Sequence, residues 1–370
     1  MSVRTAEIVG AGFAGLTAAA ALARRGWSVR VHESASELRA FGAGIFLWEN
    51  GLRVLAEIGA LDRVLEGSYE APSWDDRTAD GELMAAIPMP LPGGGRMVTM
   101  TRHHLHTALV ECAEAAGATI LTGRHAAGAD PEGRLWFSDG AVTADVVIGA
   151  DGIKSAVRDS LGLPARLERF DVGVYRVLVD RKLAPDHSMW RHYVNFWDTV
   201  KKRRILYVPC AGDSLYLLLG AKADDTEALR VPFDRSTWQA SYPLLADAIG
   251  GIADNPRFDY YERVTLTSWR AGRVFIVGDA AHAMPPTLGQ GAGTAMGNAF
   301  HLAVCLDSFR DVETAGRAWE RDARPDTDTT QQVSVNRLEE LFPEQGARLP
   351  EHWKDDEVGI SRRVPRTVHQ

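Results

Sequence analysis

The run from Gly10 to Gly15, Gly-Ala-Gly-Phe-Ala-Gly, has the glycine spacing of a turn that binds a dinucleotide. An apolar stretch precedes the run and an alanine-rich stretch follows it, which predicts a strand, a turn and a helix. Gly10 would then permit the tight turn, Gly12 the approach of a pyrophosphate, and Gly15 close packing of helix on strand. The phosphates would lie beside Ala14 at the helix N-terminus, where free N–H groups favour an anion.

A carboxylate follows at the separation that ribose recognition requires. Glu33 lies at the end of a second predicted strand, Ser28 to His32, where it would accept hydrogen bonds from the adenosine ribose hydroxyls. A structural glycine turn with a surface glutamate is the alternative interpretation. The turn alone does not distinguish NAD from FAD.

Two further segments end a predicted strand with a glycine and an aspartate. One runs from Asp145 to Arg158 and contains Gly-Ala-Asp-Gly, and the other runs from Arg273 to Gly293 and contains Gly-Asp before a glycine-rich loop. Such a loop, leading into a helix, offers backbone N–H groups to a negatively charged group. Asp151 is expected to hold its own loop, with general-base catalysis as the alternative.

In order and separation these three segments resemble the fingerprints of the flavoprotein aromatic hydroxylases, the p-hydroxybenzoate hydroxylase superfamily. The resemblance implies noncovalent FAD, NADH or NADPH as a transient electron donor, and oxygen transfer from a flavin C4a-hydroperoxide. It implies that Asp279 bonds the ribityl chain and that Pro286 lies beside the flavin. It implies further cofactor contacts from Arg39, Arg102, Gly289, Gly291, Ala292 and Gly293. For the two arginines, an ordinary surface position is the alternative.

A closer resemblance is to the 2-methyl-3-hydroxypyridine-5-carboxylate oxygenases of vitamin B6 breakdown. It is carried by the runs from Glu37 to Leu55 and from Arg204 to Cys210, and by the Gly-Asp-Ala-Ala-His-Ala-Met stretch. By matching position it implies a substrate pocket formed by Arg176, Arg204, Tyr216, Trp74, Phe46, Tyr261 and Pro286. Within this set the catalytic candidates are Pro286, Arg204 and Tyr216. Those enzymes carry tyrosine where this chain has Phe46 and Trp74, so two hydroxyl groups are absent here.

From the residues alone, two members of this pocket have another interpretation. Arg204 ends a basic run that begins at Lys201 and would form a solvated turn, and Tyr216 would be ordinary core packing in a strand. In an enclosed pocket, however, an arginine is the natural bidentate partner of a carboxylate.

The resemblance therefore implies a monooxygenase that uses NAD(P)H and O₂ to hydroxylate a small aromatic or N-heteroaromatic acid, such as a 3-hydroxypyridine carboxylate, with or without ring opening. Another FAD-dependent oxidoreductase of the same fold, without oxygen transfer, is the alternative. A tryptophan halogenase is disfavoured, because no two tryptophans are separated by one residue. A protein that only binds a dinucleotide would not need the apparatus from Asp279 to Gly293.

The elements that must position these residues predict an α/β fold. A Rossmann-like, doubly wound parallel sheet would bind FAD, and a mostly antiparallel sheet inserted into it would bind the substrate. A hairpin of residues 134–139 and 141–148 is expected to return to the parallel sheet. The predicted units are residues 1–168 and 269–345 for FAD and 169–268 for substrate, with a loosely attached tail over 346–370. The chain contains one dinucleotide turn, so the nicotinamide would have no fold of its own.

Composition excludes several other classes. The formal net charge of −8 argues against a nucleic-acid surface, and no apolar run reaches the length of a membrane span. Three widely spaced cysteines and the absence of a signal peptide are typical of a cytoplasmic protein with reduced thiols. His103, His104 and His106 match no metal motif, so no metal site is expected.

Overall fold

The computed structural model describes residues 3–38, 42–91, 95–184 and 187–342. Arg39 and the predicted tail over 346–370 lie outside the described residues. The strands are β1 (Thr5–Val9), β2 (Ser28–His32), β3 (Gly44–Trp48), β4 (Ser73–Thr78), β5 (Leu83–Pro88), β6 (Met97–Thr101), β7 (Thr119–Leu121), β8 (Ala126–Ala129), β9 (Arg134–Phe137), β10 (Gly140–Thr143), β11 (Val146–Gly149), β12 (Ala165–Asp180), β13 (Tyr193–Asp198), β14 (Arg203–Pro209), β15 (Ser214–Lys222), β16 (Arg257–Leu266), β17 (Arg270–Ala271) and β18 (Val274–Ile276).

The α-helices are α1 (Phe13–Ala23), α2 (Glu49–Ile58), α3 (Leu61–Glu66), α4 (Arg102–Ala115), α5 (Ala156–Ser160), α6 (Arg235–Ser241), α7 (Ala246–Gly250), α8 (Asp279–His282), α9 (Gly291–Ser308) and α10 (Val312–Leu341). Short 3₁₀ helices cover Arg181–Leu183, Ser188–Arg191, Pro243–Leu245 and Pro286–Leu288.

A six-stranded sheet in the order β17-β18-β11-β1-β2-β7 carries the dinucleotide turn. The pairs β1–β2, β1–β11, β11–β18 and β2–β7 are parallel, and only β17 runs antiparallel. The alanine-rich helix α1 is buried along its length from Ala14 to Ala23, because small side chains let it lie close to both the sheet and α9. The predicted Rossmann-like parallel sheet is confirmed.

The second sheet has seven strands in the order β16-β12-β15-β14-β13-β4-β5. Its pairs are antiparallel except for β13–β4, so the predicted mostly antiparallel sheet is confirmed. The sheet also takes in β4 and β5, which precede the predicted substrate unit by about eighty residues and were not assigned to it. The polar sequence of β4, Ser-Trp-Asp-Asp-Arg-Thr, lacks the apolar alternation that marks a strand.

The predicted return of the whole hairpin at 134–148 to the parallel sheet was wrong. Strands β9 and β10 pair with β8 in a separate three-stranded sheet, and only β11 joins the parallel sheet. Burial explains the division: all four residues of β11 are buried, whereas β10 is largely exposed. A strand that is covered on both faces needs continuous apolar sequence, which β11 has and β10 lacks.

The seven-stranded sheet packs on both faces. One face, which includes Tyr175, Val177 and Tyr207, packs in an apolar cluster with α6 and α7. The other face packs with β3 and with Leu338 and Phe342 at the end of α10. We call this second surface the inner face.

Candidate active site

The dinucleotide turn has three glycines in three different environments. A Cβ on Gly10, whose φ is +97°, would lie 2.4 Å from the carbonyl oxygen of Ala150, and a Cβ on Gly15 would lie 2.0 Å from that of Gly10. A Cβ on Gly12 would meet nothing within 4 Å. Gly10 and Gly15 are therefore required by packing of the protein on itself, whereas Gly12 faces open space beside the N-terminus of α1.

Glu33 lies directly after β2 and braces this turn. One carboxylate oxygen accepts a hydrogen bond from Ala11 N at 2.9 Å and the other accepts one from Ala35 N at 2.8 Å. Helix α1 begins without a side-chain cap, and its first internal bond runs from Leu16 N to Gly12 O. The helix N-terminus is thus presented toward the open side of the turn, as an anion site requires.

Asp279, at the start of α8, and Arg102, at the start of α4, lie close enough for their charges to interact. Asp279 is exposed although many protein atoms lie around it, so it lines a cleft rather than the outer surface. Burial raises the pKa of Asp279, and the positive charges of Arg102 and Arg176 oppose this rise. Arg102 is half-buried with its guanidinium 4.7 Å from the ring centre of Phe13, so the surface alternative for this residue does not hold.

The loop from Pro286 to Gly293 is held from behind by two side chains that the sequence analysis did not single out. Trp48 Nε1 donates to Leu288 O at 3.0 Å, and Asn50 Nδ2 donates to the Gln290 side-chain oxygen at 3.0 Å. The other side of the loop is accessible. Pro286 is exposed, Gly291 and Ala292 are half-buried, and a Cβ on Gly291 would meet open space.

Phe46 connects this loop to the inner face of the second sheet. A Cβ on Gly289 would lie 3.0 Å from Phe46 Cβ, and the Phe46 ring lies 5.5 Å from Trp74 and 5.6 Å from Tyr193. Tyr216 and Tyr261 belong to the same cluster. The structure therefore places the predicted pocket walls next to the predicted flavin loop.

Strand register places the predicted polar pocket residues on the inner face. Arg204 lies opposite Gly220, Tyr216 opposite Val208, and Arg176 opposite Leu218. Because side chains alternate along a strand, the even-numbered residues of β12, β14 and β15 share one face. The sequence predicted these residues within the substrate unit of residues 169–268, and the structure adds that they share the inner face of its sheet.

Arg204 is buried, with only 4% of its surface exposed, so the solvated-turn interpretation is wrong for this residue. The turn ends earlier, at Lys202, and Arg204 lies within β14. Its Nε and Nη2 atoms donate to Asn195 Oδ1 at 2.9 and 2.6 Å. Burial lowers the pKa of Arg204, although the nearby Tyr261 and Asp76 act in the opposite direction.

Arg176 has a different environment. It forms an ion pair with Asp259, which also accepts from Arg257 Nε at 2.7 Å. Burial acts to lower the pKa of Arg176, but Tyr216 and the hydrogen-bonded Asp259 outweigh it and raise the pKa. Sequence reasoning missed Asp259, whose carboxylate partly neutralises the positive charges of Arg176 and Arg257.

Two tyrosine hydroxyls on the inner face have no protein partner in the described part of the chain. Tyr216 and Tyr261 are 5% and 4% exposed as whole residues, but the hydroxyl oxygen of each keeps solvent-accessible surface. Burial raises the pKa of both side chains, so both hydroxyls stay protonated near neutral pH. They are therefore hydrogen-bond donors that face accessible space.

Asp151, as predicted, holds its own loop. One oxygen accepts from Ser155 Oγ and the other from Val157 N at 3.2 Å, at the start of α5. Within residues 3–342, apart from the gaps given above, no helix has the length and apolarity to cross a membrane. The same residues contain no group of three or more His, Cys, Asp or Glu side chains arranged to hold a metal ion.

Comparison with known proteins places this geometry among flavoproteins. The FAD binding domain family matches residues 2–316. A putative 2-heptyl-3-hydroxy-4(1H)-quinolone synthase of Rhodococcus erythropolis, AqdB1, is 43% identical over 330 residues, covering 89% of this chain and 86% of the relative. The 2-heptyl-3-hydroxy-4(1H)-quinolone synthase of Mycobacteroides abscessus is 42% identical, covering 90% of each chain. The tetrameric form of 2-methyl-3-hydroxypyridine-5-carboxylic acid oxygenase superposes with a TM-score of 0.87 at 43% identity, covering 93% of this chain and 94% of that one.

Proposed function

This chain belongs to the FAD-dependent aromatic monooxygenases, within the FAD binding domain family, and we propose that it inserts one oxygen atom of O₂ into an N-heteroaromatic ring that carries a hydroxyl or oxo group. NADH or NADPH is the proposed electron donor. The observation that carries the proposal is the inner face itself, where hydrogen-bonding groups with accessible atoms lie next to the loop from Pro286 to Gly293.

The described residues fit FAD. Open space at Gly12 and at Gly291, each at the start of a helix, suits a pyrophosphate and the anionic edge of a flavin. Asp279, in the cleft between them, suits the ribityl hydroxyls, and Glu33 lies where the ribose would be. When bound, FAD supplies the transfer of two electrons from the nicotinamide and the activation of O₂.

The roles we propose for the chain's own residues are binding, orientation and exclusion of water. Arg204 binds an oxygen of the substrate, and the protonated hydroxyls of Tyr216 and Tyr261 donate to ring oxygens. Phe46 and Trp74 form an aromatic wall that keeps water from the reacting carbon. Fixed orientation matters because a displacement of about 1 Å lowers the rate by on the order of 100-fold.

Two classes of substrate have support. A hydroxypyridine carboxylate is favoured by the likeness to the pyridine-carboxylic acid oxygenase and by the positively charged Arg176 on the inner face, which is paired with Asp259. A neutral 4-quinolone is favoured by the two quinolone synthases and by a buried carboxylate, Asp76, on the inner face. Both classes present an electron-rich ring that carries an oxygen.

We also propose a functional division of the chain. Residues 1–168 and 269–345 bind FAD, and residues 169–268 bind substrate together with β4 and β5, which complete the substrate sheet. The described residues contain one parallel sheet with a dinucleotide turn, so the nicotinamide would bind transiently rather than in a second nucleotide fold.

The test is product formation by the purified FAD-bound protein under ¹⁸O₂. We expect NAD(P)H oxidation to be stimulated by a substrate from a panel of 2-alkyl-4(1H)-quinolones, hydroxypyridine carboxylates and hydroxybenzoates. The product should contain one ¹⁸O atom per nicotinamide oxidised, and H₂O₂ should be minor. Nicotinamide oxidation that no ring compound stimulates, with H₂O₂ as the only oxygen product, would contradict the proposal.

A further inference from the structure

We propose that Asp76 accepts a hydrogen bond from a ring N–H of the substrate, and that the preferred substrate is therefore a neutral N–H heteroaromatic compound with an oxo group rather than a carboxylate. This inference rests on the proposed function and narrows it to one substrate class. Sequence reasoning gave no role to Asp76, because it lies in a polar segment far from every recognised motif.

Asp76 is placed on the inner face by strand pairing. It lies opposite Asn195, whose side chain also bonds Arg204, and it is only 9% exposed. Its Oδ1 atom accepts from Asn195 Nδ2 at 2.8 Å and from Trp197 Nε1 at 3.2 Å. In the described part of the chain no group donates a hydrogen bond to its Oδ2 atom, and this atom keeps solvent-accessible surface.

Arg204 complements this arrangement. Nε and Nη2 bond Asn195, whereas Nη1 has no partner among the described residues and keeps accessible surface. One donor, from Arg204, and one acceptor, from Asp76, thus flank the same amide. A ring that offers both an oxo acceptor and an N–H donor matches this pair.

The local charge around Arg204 and Asp76 favours a neutral ligand at this pair. Arg204 and Asp76, bridged by Asn195, sum to zero formal charge, and the nearby Arg337 is itself paired with Glu340 at 2.6 Å. A carboxylate at Arg204 would add a second negative charge close to Asp76 in a desolvated site, which is unfavourable. A neutral oxo group adds no net charge.

The position along the strand is also suitable. Trp74 lies two residues before Asp76 on the same face, and its ring contacts Phe46, which in turn packs on Gly289 of the flavin loop. A bicyclic ring between Trp74 and the loop would have its N–H end toward Asp76. The reacting carbon would then lie on the side of the ring that faces Pro286.

A structural role, in which Asp76 only orients Asn195 and Trp197, makes a different prediction. In Asp76→Asn the remaining oxygen still accepts from both residues, so the network is kept. The new amide places an N–H donor where the ring N–H must bind. The variant therefore removes the proposed contact while preserving the structural one.

The experiment measures dissociation constants of the FAD-bound protein by perturbation of the flavin absorption spectrum, without turnover. The ligands are 2-heptyl-4(1H)-quinolone, 2-heptylchromone, which replaces N–H by a ring oxygen of similar size, and 3-hydroxypyridine-5-carboxylate. We expect wild type to bind the quinolone about 10- to 100-fold more tightly than the chromone. In Asp76→Asn this preference should vanish or reverse, and carboxylate binding should not weaken.

The matched control is Asp80→Asn, the same chemical change at an exposed position in the turn between β4 and β5, which should leave all three constants unchanged. Equal weakening of every ligand in Asp76→Asn would assign Asp76 a structural role and overturn the inference. If the variant does not fold, equal affinity of wild type for quinolone and chromone overturns it instead. Binding that follows the inference without oxygen insertion would contradict the proposed function alone.

Discussion

The dinucleotide turn and the inner face of the second sheet are built in different ways. In the turn, the contacts that matter are made by backbone atoms, and only glycine fits at Gly10 and Gly15. On the inner face, side chains from distant segments meet through strand register: Asp76 lies opposite Asn195, and Trp197 opposite Arg204. The turn constrains residue type, whereas the inner face constrains only position, so we expect the turn to keep the cofactor and the inner face to decide the substrate.

Gly12→Val is expected to have the strongest effect on function, because Gly12 faces the open side of the dinucleotide turn. Gly12→Val should fold, because its Cβ meets nothing within 4 Å, but the side chain would occupy the approach of the pyrophosphate. Loss of two charge-assisted hydrogen bonds, about 1.5–3 kcal/mol each, should weaken FAD binding by about 100-fold or more. The measurement is the ratio of flavin to protein absorbance after gel filtration, together with thermal unfolding.

The control for Gly12→Val is Gly297→Val, in the middle of α9, where a Cβ also meets open space. It should retain FAD. By contrast, Gly15→Ala should destabilise the fold itself, since its Cβ would lie 2.0 Å from Gly10 O. Full flavin occupancy in Gly12→Val would mean that the cofactor does not use this turn.

These differences explain how much the sequence revealed. The turn was recognisable because its geometry depends on residues that are close together in the chain, and the strand around Val274–Ile276 because a buried parallel strand is continuously apolar. The parallel position of β4 beside β13 was not recognisable. It depends on pairing between segments more than a hundred residues apart, and nothing local in Ser73–Thr78 records it.

The same reason explains which site residues were missed. Arg204 and Tyr216 were found through a family resemblance, whereas Asp76, Asn195 and Asp259 only acquire meaning once register brings them beside an arginine. The basic run before Arg204 suggested a solvated turn because periodicity alone does not show where a turn ends. The left-handed backbone at Lys202, with φ of +56°, marks that end.

Arg204→Ala is expected to have the next strongest effect, and it acts on substrate binding rather than on FAD binding. Arg204→Ala removes a charge-assisted anchor worth about 1.5–3 kcal/mol, so KM should rise by about one to two orders of magnitude. The amount of H₂O₂ formed per nicotinamide oxidised should also rise, because a loosely held ring accepts a smaller fraction of the activated oxygen. FAD content should remain that of wild type, since Arg204 lies on the inner face and not at the turn.

Lys201→Ala is the control for Arg204→Ala, because Lys201 belongs to the same basic run but is exposed. It should change neither KM nor the yield of H₂O₂. Wild-type affinity and coupling in Arg204→Ala, with FAD bound normally, would remove Arg204 from the pocket.

A third, smaller effect concerns pH and the cofactor unit. His282 is 2% exposed, and burial lowers its pKa to about 4 while Asn298 Nδ2 lies 3.0 Å from its Nε2. The neutral form of His282 is favoured in the folded state. Its contribution to the free energy of unfolding is therefore fully present above the unfolded pKa of about 6.5 and is lost as pH falls toward 4. Between pH 7 and pH 5 the free energy of unfolding should fall by about 2 kcal/mol more in wild type than in His282→Gln. Denaturant titrations at both pH values measure this difference, and parallel pH profiles for the two proteins would contradict the assignment.

The weakest effect is expected on removal of a single hydroxyl from the inner face. Tyr261 and Tyr193 allow this effect to be compared at two positions of that face. The Tyr261 hydroxyl has no partner among the described residues and keeps accessible surface. The Tyr193 hydroxyl is within 3.3 Å of Ala71 N, Tyr69 O and Thr99 Oγ1.

Tyr261→Phe should leave thermal stability unchanged and raise KM by about 2- to 10-fold, since a neutral hydrogen bond contributes about 0.5–1.5 kcal/mol. Tyr193→Phe should do the reverse, lowering the free energy of unfolding by about 1–3 kcal/mol without a change in KM, because it leaves the buried Ala71 N–H unpaired. Should Tyr261→Phe instead lower stability as Tyr193→Phe does, the Tyr261 hydroxyl would be part of the protein's own packing, and the substrate surface of the inner face would end at Tyr216.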